Sequence, residues 1–317
     1  MQKKFSGNKN MKPDLQVKIG TLKLKNPVMV ASGTFGAEYR ELVDVGKLGA
    51  IVTKTITLNG RAGNPAPRVA EASSGMLNSI GLENKGLEDF INKKIPAFPG
   101  GDTKLIVSIA GDTEGEFTRM VGELDKVKKV SAIEINLSCP NVKHGSRTGL
   151  TAQDEDASYS VVRAVRRATG LPIIAKLTPN VTDIAKIAVA VEKAGADAIL
   201  AVNTFAAMAI DIETRRPKLG NVTGGLSGPA IKPIALKMIW DIYNKVEIPI
   251  IGVGGIMNYK DAVEFMLCGA AAIQVGTATF VNPNTAIEII KGLNKYCSDK
   301  NIKNMSELVG NINIGRL

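Results

Sequence analysis

Histidine is nearly missing from this chain: its 317 residues hold one, His144, five positions after Cys139. A nucleophile–histidine pair needs its two members brought together from different parts of a fold, so hydrolysis by such a pair has little to work with here. Cysteine is scarce too. Cys139, Cys268 and Cys297 are odd in number and widely spaced, which gives neither a disulfide framework nor a zinc or iron–sulfur motif and suits a reducing cytoplasm. Aromatic residues make up 4%, and no basic stripe is interleaved with them, so a single-stranded nucleic acid platform is not expected. No apolar run reaches the roughly 18 residues that would span a bilayer, and no apolar segment follows the basic start Met1-Gln2-Lys3-Lys4; neither membrane insertion nor export is expected. A G-x-G-x-x-G fingerprint with its acidic partner is also lacking, which argues against tight NAD binding by this chain alone.

What is present is the composition of a folded enzyme-sized domain, 44% hydrophobic and 22% charged with 32 glycines,. The formal charge of +10 comes from basic residues scattered along helix-like segments, the pattern of a solvated surface rather than a nucleic-acid site. We read residues 1–317 as one domain, with residues 1–12 as a mobile tail. Short β-branched runs fall at 28–33, 50–55, 104–110, 132–138, 172–177, 198–203, 249–254 and 271–276. Longer amphipathic segments lie between them, including 152–169, 182–194 and 229–246. In the first of these Val161, Val162 and Val165 form the apolar face and Arg163, Arg166 and Arg167 the wet one,. Eight such βα units predict an α/β fold, a closed (β/α)8 TIM barrel; periodicity alone also permits an open doubly wound sheet. The connections 56–85 and 204–228 are too long for turns, and 139–151 is rich in small polar residues. All three follow strands, where such barrels carry their catalytic loops.

Gly252-Val253-Gly254-Gly255-Ile256 at the seventh strand and Val275-Gly276-Thr277 at the eighth are glycine turns at the usual phosphate end of a barrel, where bare backbone N–H groups approach an anion closely. A sugar phosphate and a flavin mononucleotide would both be held this way. Cys139, in Asn136-Leu137-Ser138-Cys139-Pro140-Asn141, leaves the fourth strand for the active face; a thiol there is a nucleophile, a proton acceptor or an inert small residue. Lys54 and Lys176 stand at the ends of apolar strands, positions that call for an internal ion pair or a polar ligand. A lysine in such a place is also able to form a Schiff base, the chemistry of an aldolase. Asn78, Asn136 and Asn203 recur at strand ends and in the first long connection, and their amides match the donor–acceptor edge of a cyclic amide.

Over residues 14–300 or so the chain resembles class 1 dihydroorotate dehydrogenases. The likeness is carried by Asn26-Pro27 through Ala31-Ser32-Gly33, Gly63-Asn64-Pro65-Ala66-Pro67-Arg68, Asn78-Ser79-Ile80-Gly81-Leu82, Asn136 to Asn141, Lys176-Leu177-Thr178-Pro179-Asn180, Gly224-Gly225-Leu226-Ser227-Gly228-Pro229 and the two glycine turns. Within class 1 the wording resembles the 1B branch, whose catalytic subunit passes electrons to NAD+ through a partner holding FAD and a 2Fe-2S cluster; the fumarate-using 1A branch is the alternative. The resemblance implies one FMN per chain, a homodimer joined to that partner as a heterotetramer, no metal on this chain, and oxidation of dihydroorotate to orotate in pyrimidine synthesis. By the same resemblance Cys139 takes the proton from substrate C5 while the C6 hydride goes to the flavin. Lys54, Asn78, Ser79, Ile80, Gly81, Leu82, Asn136, Asn203 and Thr204 hold the substrate. Ser32, Lys54, Thr55, Ser108, Asn136, Lys176, Val202, Gly228, Gly254, Gly255, Gly276 and Thr277 surround FMN, with Ser108 standing where many relatives carry Asn.

Overall fold

A computed structural model of the chain describes residues 13–137 and 153–315. The tail 1–12 and the whole 139–151 connection, with Cys139 and His144, lie outside those residues. Eight strands form at the expected places: β1 (Val28–Val30), β2 (Ala50–Val52), β3 (Lys104–Ile109), β4 (Val130–Asn136), β5 (Ile173–Lys176), β6 (Ala198–Ala201), β7 (Ile250–Val253) and β8 (Ala270–Val275). They pair in parallel and close, in the order β4-β5-β6-β7-β8-β1-β2-β3 and back to β4. Closure excludes the open doubly wound sheet. β4 starts at Val130, two residues before the expected position, because an irregularity between Val130 and Ala132 takes up one residue against β3,.

Strand parity sorts the core. Met29, Val52, Ile106, Ala132, Ile174, Leu200, Ile251 and Ala272, one from each strand, meet inside the barrel. Their alternates, such as Val28, Ile51, Val107, Ile133, Ile173, Ile199 and Ile273, pack outward against the helices,. An antiparallel hairpin, Val17–Ile19 with Leu22–Leu24, adds Ile19, Leu22 and Leu24 to the inner cluster. Its turn at Gly20 lies against Asp197, just ahead of β6, so the hairpin plugs the barrel at the end away from its C-terminal mouth.

The outer layer includes α1 (Glu114–Leu124), α2 (Glu155–Ala168), α3 (Ile184–Ala194), α4 (Lys232–Tyr243), α5 (Tyr259–Leu267) and α6 (Thr285–Lys300). α2 begins where Asp154 accepts the Ala157 N–H at 2.8 Å, a side-chain N-cap that satisfies one orphan donor. Val161, Val162 and Val165 are fully buried, and Arg163 and Arg167 are exposed, as its periodicity predicts. Arg166 departs from the expected wet face. It is only partly exposed, pairs with Asp197 at 2.9 Å and donates to the Leu171 carbonyl, tying α2 to the approach to β6.

The two long connections do not hang as separate loops. Strands at Val69–Ala72 and Gly75–Asn78 from the first join Phe205–Ala207 and Gly224–Ser227 from the second in one antiparallel sheet of four strands. Gly224 and Gly225 make this crossing possible. A Cβ at Gly224 would stand 2.5 Å from the Asn78 carbonyl oxygen, and one at Gly225 would stand 1.9 Å from Thr204 Oγ1, so side chains there would push the insertions apart.

Candidate active site

Continuing the inward parity by two residues along each strand turns an apolar layer into a polar one. Ala132 is followed by Glu134 and Asn136, Ile106 by Ser108, Ile174 by Lys176, Ala272 by Gln274, and Val52 by Lys54. Glu134 has no exposed surface. Its Oε1 accepts from Ser108 Oγ at 2.8 Å and lies 3.4 Å from the Lys176 ammonium, while Oε2 accepts from Gln274 Nε2 at 3.0 Å. Since a hydroxyl has one proton and Ser108 gives it to Glu134, Thr55 is the donor in the 2.9 Å bond between Thr55 Oγ1 and Ser108 Oγ,. Lys176 in turn donates to Ser32 Oγ at 2.8 Å. Burying two ions costs several kcal/mol each, and it is offset only where the pair is close and the remaining lone pairs are hydrogen-bonded; this cluster meets both conditions.

Above that layer, at the mouth, opens a cavity of about 480 Å³. Its wall gathers the sequence-predicted residues from both ends of the chain. Lys54, Asn78, Ile80, Leu82, Asn136, Asn203 and Thr204 line it, and so do Ser32, Thr55, Lys176, Val202, Gly228, Gly254, Gly255, Gly276 and Thr277. Lys176 therefore satisfies both readings open to it, an internal ion pair and a place on a ligand site. Lys54 stands more exposed, at the mouth.

Three expected residues are not on the wall. Ser79 is nearly buried, its hydroxyl accepting from Asn64 Nδ2 at 2.8 Å. Gly81 sits at φ +74° with its Cα face 2.6 Å from Asn64 were a Cβ present, so it shapes the turn that carries Ile80 and Leu82. Ser108 lies one layer below the wall, where its hydroxyl links Thr55 to Glu134; a shorter side chain than Asn is directed into the barrel network and not into the cavity.

Sequence reading missed Glu134 and Gln274, although strand parity with Asn136 and Gly276 would have placed both inside the barrel. It also missed Ser227, Met257 and Phe280 on the wall and, on the same wall, the Arg68–Glu83 pair, 2.6 Å apart. Arg68 donates as well to the Asn64 carbonyl at 2.5 Å, which braces the first insertion.

The glycine turns differ in what holds them. Gly254 and Gly255 have φ of +132° and +75°, and a Cβ on Gly255 would meet the Gly228 carbonyl at 2.9 Å, so the fold itself demands glycine there. A Cβ on Gly276 would meet nothing closer than Ala31 Cβ at 3.6 Å; the protein has room for it, and the space it would fill is cavity. Of the cysteines among the described residues, burial pushes the thiols of Cys268 and Cys297 above the usual thiol range, and neither lines this cavity.

Residues 14–297 match the family model described as dihydroorotate dehydrogenase. The chain belongs to this family. It is 53% identical over 303 residues to the dihydroorotate dehydrogenase B (NAD(+)) catalytic subunit of Caldicellulosiruptor saccharolyticus, covering 95% of this chain and 100% of that protein. It is 52% identical over 302 residues to the subunit so named from Trichlorobacter lovleyi, at 95% and 99% coverage. With that of Geobacter sulfurreducens the identity is 50% over 305 residues, at 96% and 99%. An FMN-dependent oxidoreductase acting on dihydroorotate is the activity that goes with this family, and a flavin fits the cavity found here: a basic and hydroxyl-lined floor, a wall of amides, and a bare-backbone cradle at one end.

Proposed function

We propose that this chain is the catalytic subunit of an NAD+-linked dihydroorotate dehydrogenase, holding one FMN in the cavity at the barrel mouth and acting in the cytoplasm. The observation that carries this reading is the convergence of two different grips on one cavity. The Gly254–Gly255 and Gly276–Thr277 turns offer backbone to a phosphate, and Lys54, Asn78, Asn136, Asn203 and Thr204 offer a cation and amides to a pyrimidine carboxylate,. A sugar-phosphate aldolase has no use for the second set. Lys176 is also committed to Glu134 and to Ser32 Oγ, partners that hold the amine in place and that a Schiff-base lysine would have to give up.

FMN, when bound, supplies the two-electron acceptor. The chain's own residues do the rest. Lys54, at the mouth, pairs with the substrate carboxylate, and the asparagine amides hold the ring edge so that the reacting carbon faces the floor. Cys139 removes the C5 proton. Lys176 holds positive charge at the floor, where negative charge develops, and a fixed charge in a water-poor site needs no reorganisation. Ser227 accepts from Thr277 Oγ1 at 2.8 Å, which ties the second insertion to the phosphate end.

Two assemblies follow. An iron–sulfur and FAD subunit is required for NAD+, and the exposed Met208, Ile210, Ile212 and Val222 on the second insertion supply apolar surface for a second copy of the chain in a homodimer, the pair of copies carrying the partner subunits as a heterotetramer. No helix among the described residues is long and apolar enough to cross a membrane.

Gly276→Val tests the cofactor site. A Cβ there meets nothing closer than Ala31 Cβ at 3.6 Å, and the branched side chain is expected to occupy the cradle. Overpacking of about 1–3 kcal/mol corresponds to roughly 5- to 150-fold weaker FMN, with the apoprotein still folded by circular dichroism. Full FMN occupancy in that variant, measured by release and fluorescence, would show that the turn does another job. Gly255 is the poorer target, since its own φ strains any replacement.

A further inference from the structure

Glu134 is a fully buried acid to which neither the substrate nor the phosphate site assigns a task. Resting on the FMN reading above, we propose that Glu134 is a positioning residue that fixes Lys176 at the cavity floor and sets, by its charge, how readily the bound flavin is reduced. Four observations support it. The carboxylate lies 3.4 Å from the Lys176 ammonium, and Lys176 reaches the cavity beside Ser32. Ser108 and Gln274 clamp its two oxygens separately, at 2.8 and 3.0 Å, so its position is held and its charge cannot swing away. Thr55, itself on the cavity wall, feeds the same network through Ser108. Barrel register places Glu134 opposite Ser108 on β3, and Asn136 opposite Lys176 on β5, so the floor and the network beneath it move as one layer.

A carboxylate in this place offsets the lysine. Two-electron reduction adds negative charge to the flavin, which the cation favours and the anion behind it opposes; inside a barrel such effects are screened far less than in water. The pair then gives a charge that is held in place but moderated.

Glu134→Gln isolates the charge, because the volume is kept and the hydrogen bonds can be remade. Gln274 Oε1 is buried without a partner among the described residues, and rotating that amide by half a turn lets it accept from the new side-chain N–H₂. In the flavin-loaded enzyme the variant is expected to favour two-electron reduction tenfold or more over wild type, an upward shift of about 30 mV for a two-electron couple, read by equilibration with a reference dye. Lys176→Met added to Glu134→Gln removes both charges and should bring the equilibrium back at least tenfold. A Glu134→Gln protein whose flavin keeps the wild-type potential while its thermal midpoint falls assigns Glu134 a structural role only and overturns the proposal. If Glu134→Gln gives no folded protein, Glu134→Asp keeps the charge and draws it back by one methylene; it should shift the potential the same way by a smaller factor, and an unchanged potential overturns the proposal equally. Wild-type protein that takes up no FMN sinks the cofactor reading, whereas flavin-loaded protein indifferent to Glu134 sinks this inference alone.

Discussion

Replacing Cys139 with serine is expected to leave FMN bound and to slow flavin reduction by dihydroorotate about 10²- to 10⁴-fold at neutral pH, the scale of a lost general base. Asn136 ends β4 on the cavity wall, and Cys139 follows it by three residues in the sequence. The other two cysteines cannot stand in, since neither lines the cavity and burial pushes their thiols above the usual thiol range. A serine hydroxyl is a far weaker base than a thiol at this pH. Rapid-mixing absorbance of the flavin separates the step from binding, and orotate affinity measured on the same variant should change little. Reduction at the wild-type rate would remove Cys139 from the chemistry.

The second large effect concerns the acceptor. The chain alone should oxidise dihydroorotate readily with an artificial dye but reduce NAD+ slower by a factor on the order of 10² or more, the cost of an acceptor left unpositioned. Nothing in it supplies the missing parts. Its three cysteines are scattered, no dinucleotide fingerprint is present, and among the described residues no group of three or more histidine, cysteine or acidic side chains is arranged to hold a metal. Adding the iron–sulfur and FAD subunit should restore NAD+ reduction. Rapid turnover of the isolated chain with fumarate, with no gain in NAD+ reduction on adding a partner, would instead favour the fumarate-using branch.

The barrel was legible because each strand is a short β-branched run whose alternation survives burial on both faces, and because amphipathic segments such as 155–168 separate them. Closure was not, since periodicity reports which residues face inward and not whether the last strand meets the first. The cavity wall was legible where a residue stood out by type: lysines in apolar strands, asparagines at strand ends, paired glycines. Glu134 and Gln274 escaped because an acid and an amide within a strand look like solvent-facing positions until the register fixes their parity. Ser108 was assigned to the cofactor by resemblance; its side chain is buried one layer below the wall, bonded to Thr55 and Glu134, a placement that residue type alone does not announce. The sheet shared by the two insertions joins residues about 150 positions apart, Asn78 with Gly225 and Met76 with Ser227, and no local pattern encodes that pairing.

The most direct test of the central claim is to mix the purified, flavin-loaded chain with dihydroorotate in the absence of oxygen and record the flavin absorbance. The account predicts that the oxidised band bleaches fully and that one orotate forms per FMN. A flavin that stays oxidised with saturating dihydroorotate, in folded protein carrying a full complement of FMN, would contradict it.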